Sequence, residues 1–167
     1  MASEISRSER MVFRASQELK DQDVVFVGIG LPNLACNLAR ATHAPNLFMI
    51  YESGAVGTIP DRVPVSIGDP ALVTNSLSIC GVHDIFQPYL QRGNIDVGFL
   101  SGAQIDPYGN LNTTVIGDPA KPKVRLPGSG GACEIAAHAK KIFIVMKLGS
   151  RASVSYTHLT LPTNDRV

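Results

Sequence analysis

Four short, largely apolar runs, separated by segments with helical periodicity, constrain the fold of this 167-residue chain more than any other feature. Each run is of strand length and is apolar enough to be buried on both faces, which is typical of a parallel sheet. Strands that alternate with helices predict an α/β fold with a mainly parallel sheet. The runs are Val24–Val27, Leu47–Tyr51, Ile95–Leu100 and Ile142–Met146.

Helices are predicted before and between these strands. Ser6 and Glu9 have the spacing of a capping box at the start of an amphipathic helix that extends to Lys20. A second helix begins near Pro32, which suits a first helical turn. Three further segments are a helix at Cys133–Lys140, a helix at Val82–Arg92, and Leu72–Ile79, which fits either a helix or a strand.

Composition excludes several classes of function. Charged residues make up 17% of the chain and the net charge is +1, which excludes a nucleic-acid binder that works through bulk positive charge. Three distant cysteines form no C-x-x-C pair, so neither a disulfide framework nor a metal site is expected, and a reduced, cytoplasmic setting is favoured. The sequence shows no targeting segment and no membrane span.

The carboxyl ends of the predicted strands are the expected ligand site, because open parallel sheets bind ligands there. Glu52 follows the second strand directly and is followed by Ser53 and Gly54. A partly desolvated carboxylate at this position suits catalysis, but it also suits a structural ion pair or a turn cap. The other strand-end segments are Gly28–Pro32, Ser101–Asn112 and Gly128–Gly131.

Two glycine-rich segments suggest ligand binding by the backbone. Gly28 and Gly30, followed by a helix, imitate a dinucleotide-binding fingerprint, but Asn33 occupies the position of its third glycine and Pro32 lies in the turn. Consecutive N–H groups in Gly128–Gly131 can converge on an anion or a developing oxyanion, or form a plain loop before a helix.

Three motifs in series resemble the β subunit of family I CoA-transferases, of the type found as the B subunit of glutaconate CoA-transferase. The motifs are Tyr51–Gly54, Ser101–Asn112 and Arg125–Ala132, and the resemblance extends over about residues 8 to 153. It implies an open, mainly parallel sheet with helices on both faces, of the CoA-transferase (NagB/RpiA-like) type. It also implies that residues 1–153 are the N-terminal part of a single β-subunit domain.

The resemblance implies a role for particular residues. Glu52 is the expected nucleophile, which forms a covalent glutamyl-CoA thioester, and Gly131, with Gly130 beside it, is the expected oxyanion donor. Coenzyme A is the expected substrate, with no permanently bound cofactor and no metal. The expected substrate-binding residues are Gly30, Ser53, Gly54, Gln104, Asn110, Gly128 and Ser129.

The resemblance further implies an enzyme that needs a CoA-transferase α subunit and acts on an acyl-CoA and a carboxylic acid. This chain alone is therefore expected to be inactive. Two alternatives remain: an acyl-CoA hydrolase subunit in which Glu52 is a general base for water, and a non-catalytic partner subunit. The sequence does not indicate which acid is the acceptor.

The last residues depart from the α/β pattern. Val154–Thr163 resembles the translation of a sequencing adapter, so residues 154–167 are expected to be a non-native tail. The alternative interpretation is an edge strand with a disordered end.

Overall fold

The computed structural model describes residues 5–154, which form a central six-stranded sheet and two small hairpins. A 3₁₀ turn lies at Pro70–Leu72 and a π-helix at Ile85–Gln91. The other elements in chain order are α1 (Arg7–Gln17), β1 (Val24–Val27), α2 (Leu31–Thr42), β2 (Phe48–Tyr51), β3 (Ala55–Val56), β4 (Ser78–Ile79), α3 (Val82–Asp84), β5 (Val97–Leu100), β6 (Gln104–Ile105), β7 (Leu111–Asn112), β8 (Val115–Asp118), β9 (Lys121–Arg125), α4 (Ala132–His138) and β10 (Lys141–Ile144).

The central sheet has the strand order β10-β5-β1-β2-β3-β4. The pairs β10–β5, β5–β1 and β1–β2 are parallel, whereas β2–β3 and β3–β4 are antiparallel. The four apolar runs of the sequence are therefore the four parallel strands. This confirms the predicted α/β fold with an open, mainly parallel sheet.

Alternate residues of each parallel strand enter two separate cores, one on each face of the sheet. Val25 and Val27 pack on the face that is covered by α1 and α2. Phe26 packs on the opposite face, which is covered by the π-helix and α4. Because side chains alternate along a strand, a run that is apolar throughout requires helices on both faces, and the structure confirms them.

The capping box predicted at the start of the first helix is present. The Glu9 N–H donates to Ser6 Oγ at 3.2 Å, and the Ser6 N–H donates to Glu9 Oε2 at 2.7 Å. These two bonds satisfy backbone donors that the first helical turn leaves free. The helix ends at Gln17, three residues earlier than predicted.

The middle of the chain differs from a regular α/β repeat. Pro88 lies inside the segment that was predicted as a helix from Val82 to Arg92, and most of that segment is a π-helix. Proline lacks an N–H donor and clashes with the preceding turn, so the regular α-helical pattern cannot continue through it. The Leu72–Ile79 segment, which the sequence left open, ends in the two-residue strand β4.

The polar segment between β5 and α4 contains two hairpins, β6–β7 and β8–β9. Asp106 and Gly109 close a β-turn within the first hairpin, because the Gly109 N–H donates to the Asp106 carbonyl at 3.1 Å. Within residues 5–154, no helix has both the length and the apolar character needed to cross a membrane.

Candidate active site

A cavity of about 570 Å³ lies at the carboxyl ends of β1, β2 and β5. From β1 the chain moves to β2 on one side and later returns to β5 on the other, so strands β1 and β5 form the topological switch point of the sheet. Loops after these two strands diverge and leave a crevice between them. The cavity wall comprises Phe26–Ile29, Phe99–Ala103 and Pro127–Ala132, together with Glu52, Ile67, Thr113 and Ile135.

The turn after β2 aims Glu52 at this cavity. Tyr51, the last residue of β2, is buried, and its hydroxyl accepts a hydrogen bond from the amide of Asn33 on α2. Burial raises the pKa of the Tyr51 phenol above its ordinary value. The Gly54 N–H then donates to the Tyr51 carbonyl at 3.0 Å and closes the turn. Glu52 is thereby fixed at the end of a rigid, buried strand.

Gly54 cannot be replaced by a larger residue in this turn. Its φ is +106°, and a Cβ atom there would lie 1.9 Å from the Cys80 carbonyl oxygen. The Cys80 N–H donates to the Gly54 carbonyl at 3.0 Å, so the residue that follows β4 holds the turn in place. The Glu-Ser-Gly motif therefore has a structural reason for its glycine.

The Glu52 carboxylate is half-buried and is the sole ionisable group among the described residues of the cavity wall. No hydrogen bond or ion pair to this carboxylate occurs within residues 5–154. Within the described residues, Glu52 therefore neither forms an ion pair nor caps a turn. The carboxylate faces glycines, hydroxyl groups and apolar side chains.

The Gly128–Gly131 segment brings its backbone against Glu52. A Cβ atom on Gly131 would lie 3.1 Å from Glu52 Oε1 and 2.5 Å from Cζ of Phe86. Gly130 has a φ of +50° and Gly128 a φ of +95°, so the segment bends in a way that favours glycine. The structure thus brings together the two sites that the sequence indicated separately.

The backbone N–H groups of this segment are available to a ligand. Within residues 5–154, no oxygen accepts a hydrogen bond from the N–H of Gly130 or Gly131. The segment is anchored at both ends, because the Gly128 N–H donates to the Thr113 carbonyl at 2.8 Å and the Ala132 N–H donates to the Ser129 carbonyl at 2.9 Å. Fixed donors beside a carboxylate suit the stabilisation of a developing oxyanion.

Of the seven predicted substrate-binding residues, Gly128 and Ser129 line the cavity and the other five lie outside its wall. Gly30 is the N-cap of α2, Ser53 is exposed, and Gly54 packs beneath Cys80. The Gln104 side chain accepts from Asn112 and donates to the Arg151 carbonyl.

Asn110 is likewise engaged locally. Its N–H and its side-chain amide both donate to the Asp106 carboxylate, at 2.9 Å each. Both amide side chains therefore stabilise the hairpin β6–β7, and their binding roles stay predictions.

Sequence reasoning did not assign Ile67 to the cavity. It lies in a loop that is held by Asp69, whose side chain is 1% exposed. Arg62 donates two hydrogen bonds to the Asp69 carboxylate, and the N–H groups of Val65 and Ala71 donate one each. The Arg62 guanidinium has the largest effect and these N–H groups add to it, so the pKa of the Asp69 carboxyl lies well below its usual range. Nothing in the local sequence indicates that this loop folds over Glu52.

Comparison with known proteins identifies the family. A sequence profile described as Coenzyme A transferase matches residues 8–163. The B subunit of 3-oxoadipate CoA-transferase from Pseudomonas knackmussii is 51% identical over 152 residues, which are 91% of this chain and 58% of that one. The chain belongs to the coenzyme A transferase family. The resemblance that the three sequence motifs indicated is confirmed.

Solved structures show the coenzyme A transferase fold. The crystal structure of glutaconate coenzyme A-transferase from Acidaminococcus fermentans superposes with a TM-score of 0.83 at 35% identity, covering 90% of this chain and 59% of that one. The decarboxylase AibA/AibB superposes with a TM-score of 0.80 at 27% identity, covering 90% and 63%.

The chain spans about three fifths of the length of the two B subunits that it matches at 51% and 34% identity. The B subunit of glutaconate CoA-transferase from Acidaminococcus fermentans is 34% identical over 165 residues, which are 94% of this chain and 60% of that one. The profile match ends at residue 163, whereas residues 155–167 lie outside the described structure. The assignment of residues 154–167 to a non-native tail, and of residues 1–153 to one domain, stays a prediction.

Proposed function

We propose that this chain is part of the B subunit of a CoA-transferase that moves CoA from an acyl-CoA to a carboxylic acid through Glu52. The observation that carries the proposal is the Glu52 carboxylate, which has no partner within residues 5–154 and faces an uncharged cavity wall beside the backbone of Gly131. A carboxylate without a partner is free to react as a nucleophile and does not stabilise the fold through an ion pair.

The first half of the reaction transfers CoA to the enzyme. The Glu52 carboxylate attacks the thioester carbonyl, the C–S bond breaks, and CoA leaves as a thiolate from an acyl–glutamyl anhydride. The thiolate then attacks the glutamyl carbonyl, so that a glutamyl-CoA thioester forms and the donor acid leaves as a carboxylate. The acceptor carboxylate reverses these steps and regenerates ionised Glu52.

The charge of the cavity wall suits this order of events. Two carboxylates at close range repel one another strongly in a partly desolvated site. In the proposed sequence the acceptor carboxylate enters when Glu52 is a neutral thioester, and the donor enters as a neutral thioester when Glu52 is ionised. A cation beside Glu52 is therefore not required, and the described wall contains none.

The N–H of Gly131 is the proposed oxyanion donor, with Gly130 beside it. Carbonyl attack places negative charge on the carbonyl oxygen, and a fixed N–H within hydrogen-bond distance lowers that barrier by about 3 kcal/mol. The support is the contact between the Gly131 backbone and Glu52 and the absence of another acceptor for this N–H in the described residues. Ser129 and Gly128 are proposed to line the acyl site.

The proposed partners are a CoA-transferase α subunit and the two substrates. Two relatives are named as B subunits and carry the names of 3-oxoadipate and glutaconate, which are dicarboxylic acids. A short dicarboxylic acid is therefore the proposed acceptor class. Coenzyme A acts as a substrate rather than as a resident cofactor, and the cytoplasm is the proposed compartment.

Activity of a Glu52→Gln variant tests the proposal. The full-length subunit would be expressed with its α subunit, and transfer of CoA to glutaconate and to 3-oxoadipate would be followed. We expect Glu52→Gln to lower kcat roughly 10⁴-fold or more, as loss of a covalent nucleophile does. Glu134→Gln is the matched control, because Glu134 is a partly exposed residue of α4 that contacts Gln91 and His138 and lies outside the cavity wall.

The alternatives give different results in the same assay. A hydrolase with Glu52 as general base releases CoA from acyl-CoA at the same rate with and without an acceptor acid. A non-catalytic subunit retains activity in Glu52→Gln. A decarboxylase, the activity named for AibA/AibB, consumes its substrate without any transfer of CoA.

A further inference from the structure

The β8–β9 ribbon (residues 115–125) extends from the wall of the cavity. Its two strands continue into Thr113 on one side and Pro127 on the other, and both of these residues line the cavity. Leu126 joins the strands at this end, because its N–H donates to the Thr114 carbonyl at 3.0 Å. The ribbon is therefore an arm that leads away from the site of Glu52.

A β-bulge determines which side of the ribbon Lys123 occupies. Ile116 pairs with Val124 and Gly117 pairs with Pro122, so Lys123 is the extra residue of the bulge. A Cβ atom on Gly117 would lie 3.2 Å from Cγ of Lys123. The lysine side chain therefore lies over Gly117, on the face of the ribbon to which Gly117 belongs.

Arg125 shares that face. It pairs with Val115, which is two residues from Gly117 and so points to the same side. Lys123 and Arg125, both exposed, therefore share one face of the ribbon, whose two ends continue into the cavity-wall residues Thr113 and Pro127.

The third cation of β9 lies on the other face. Lys121 lies opposite Asp118, the carboxylate of the ribbon, in the strand pairing. Within residues 5–154, the side chains of Lys123 and Arg125 form no hydrogen bond and no ion pair. The chain as a whole is nearly neutral, with 15 Lys and Arg against 14 Asp and Glu, so the two free cations are a local feature.

We propose that Lys123 and Arg125 bind the phosphate groups of the acyl-CoA whose thioester reacts with Glu52; the inference rests on the proposed function. Pro127, in the cavity wall, and Lys123 are four residues apart along the chain, a distance of at most about 14 Å. The pantetheine chain from sulfur to the first phosphate has about thirteen bonds, which equals about four residues of backbone or ~15 Å. Arginine and lysine are the side chains that most often bind phosphate groups in proteins.

Steady-state kinetics of the full-length complex with its α subunit test this inference. The Lys123→Gln/Arg125→Gln double variant is compared with Lys121→Gln, which removes a cation from the opposite face. We expect the double variant to raise the KM for acyl-CoA roughly ten-fold for each phosphate group that it no longer binds, with the KM for the acceptor acid unchanged. Acyl-pantetheine lacks these phosphates, so its kcat/KM is expected to be the same in all three proteins.

Direct binding separates failure of this inference from failure of the proposed function. Calorimetry with adenosine 3′,5′-bisphosphate measures phosphate binding without any transfer of CoA. Weaker binding by the double variant alone supports the inference even if no transferase activity is found. Unchanged binding and unchanged KM overturn it and leave the role of Glu52 intact. Loss of the α subunit from the double variant overturns it as well, because the ribbon would then be a protein-docking surface.

Discussion

At the scale of single residues, the contact between Gly131 and Glu52 determines what the site can do. Gly131 has a φ of −75°, so its backbone conformation is open to any residue and the constraint on it is space. A side chain there would press on the Glu52 carboxylate and on the ring of Phe86. We therefore expect that both catalysis and packing require a glycine at position 131.

Gly131→Ala tests this constraint. The added methyl group displaces the Glu52 carboxylate while the Gly131 N–H is retained, and small misplacements of a reacting group cost roughly 10²-fold in rate. We expect that loss in kcat. Gly68→Ala is the control, because a Cβ atom there has no neighbour within 4 Å.

A second substitution separates the catalytic effect from the packing effect. Phe86→Leu removes the ring that the new methyl group would meet, so Gly131→Ala/Phe86→Leu is expected to recover the thermal stability that Gly131→Ala loses. Recovery of kcat together with stability would contradict the role of the Gly131–Glu52 contact.

The Arg62–Asp69 pair predicts a pH dependence of stability. The pKa of Asp69 is lowered in the folded protein, so its contribution to stability is present above the ordinary pKa of an aspartate and is lost as the pH falls through the folded value. We expect Asp69→Asn to lower Tm by a constant amount at neutral and mildly acidic pH. This difference from the wild type then shrinks in strong acid.

Thermal unfolding as a function of pH checks the Asp69 prediction. Asp61→Asn serves as the control, because Asp61 is exposed and accepts no hydrogen bond within the described residues. A Tm difference for Asp69→Asn that grows as the pH falls would show that the sign of the pKa shift is wrong.

At the scale of elements, the position of α4 depends on Gly98 in β5. A Cβ atom on Gly98 would lie 2.5 Å from Cγ2 of Ile135 and 3.2 Å from Cβ of Ala139. The missing side chain lets α4 pack closely on the sheet, and this packing holds the Gly128–Gly131 segment against Glu52. The sequence shows a glycine inside a strand but not the helix that requires it.

Gly98→Ala is expected to lower the free energy of unfolding by about 1–3 kcal/mol, the usual cost of an inserted methyl group in a packed core. Because α4 must move, we also expect a lower kcat. Denaturant unfolding measures the first effect, with Gly149→Ala as the control, since a Cβ atom there meets nothing within 4 Å. An unchanged free energy of unfolding would contradict the close packing of α4.

Most elements were predictable from local patterns, and the exceptions have physical causes. β1 and β2 are continuous apolar runs, and α1 has its capping box, so each is specified by adjacent residues. The 3₁₀ turn at Pro70–Leu72 has a local signal, an Asp69 N-cap followed by Pro70, whereas a proline inside a predicted helix does not indicate that a π-helix forms. The two hairpins between β5 and α4 were not predicted, because their strands are short and partly polar.

At the scale of the whole molecule, the parallel sheet explains why Glu52 could be identified from the sequence. Parallel strands end at one edge, so a polar residue directly after a buried strand is placed at the ligand site by topology. The positions of Ile67 in the cavity wall and of Phe86 against Gly131 could not be identified in this way, because each depends on the long-range fold of its loop or helix. Gln104 and Asn110 form hydrogen bonds in and beside the β6–β7 hairpin that their sequence positions do not reveal, and their binding roles stay predictions.

We expect Glu52 to carry CoA covalently during turnover, and mass spectrometry of the trapped enzyme detects this bond. The full-length subunit, assembled with its α subunit, would be incubated with acyl-CoA alone and then reduced with borohydride. A glutamyl-CoA thioester at Glu52 predicts a modified peptide that contains this residue, absent from Glu52→Gln and present in Glu134→Gln. An unmodified Glu52 in an assembled complex that still transfers CoA would contradict it.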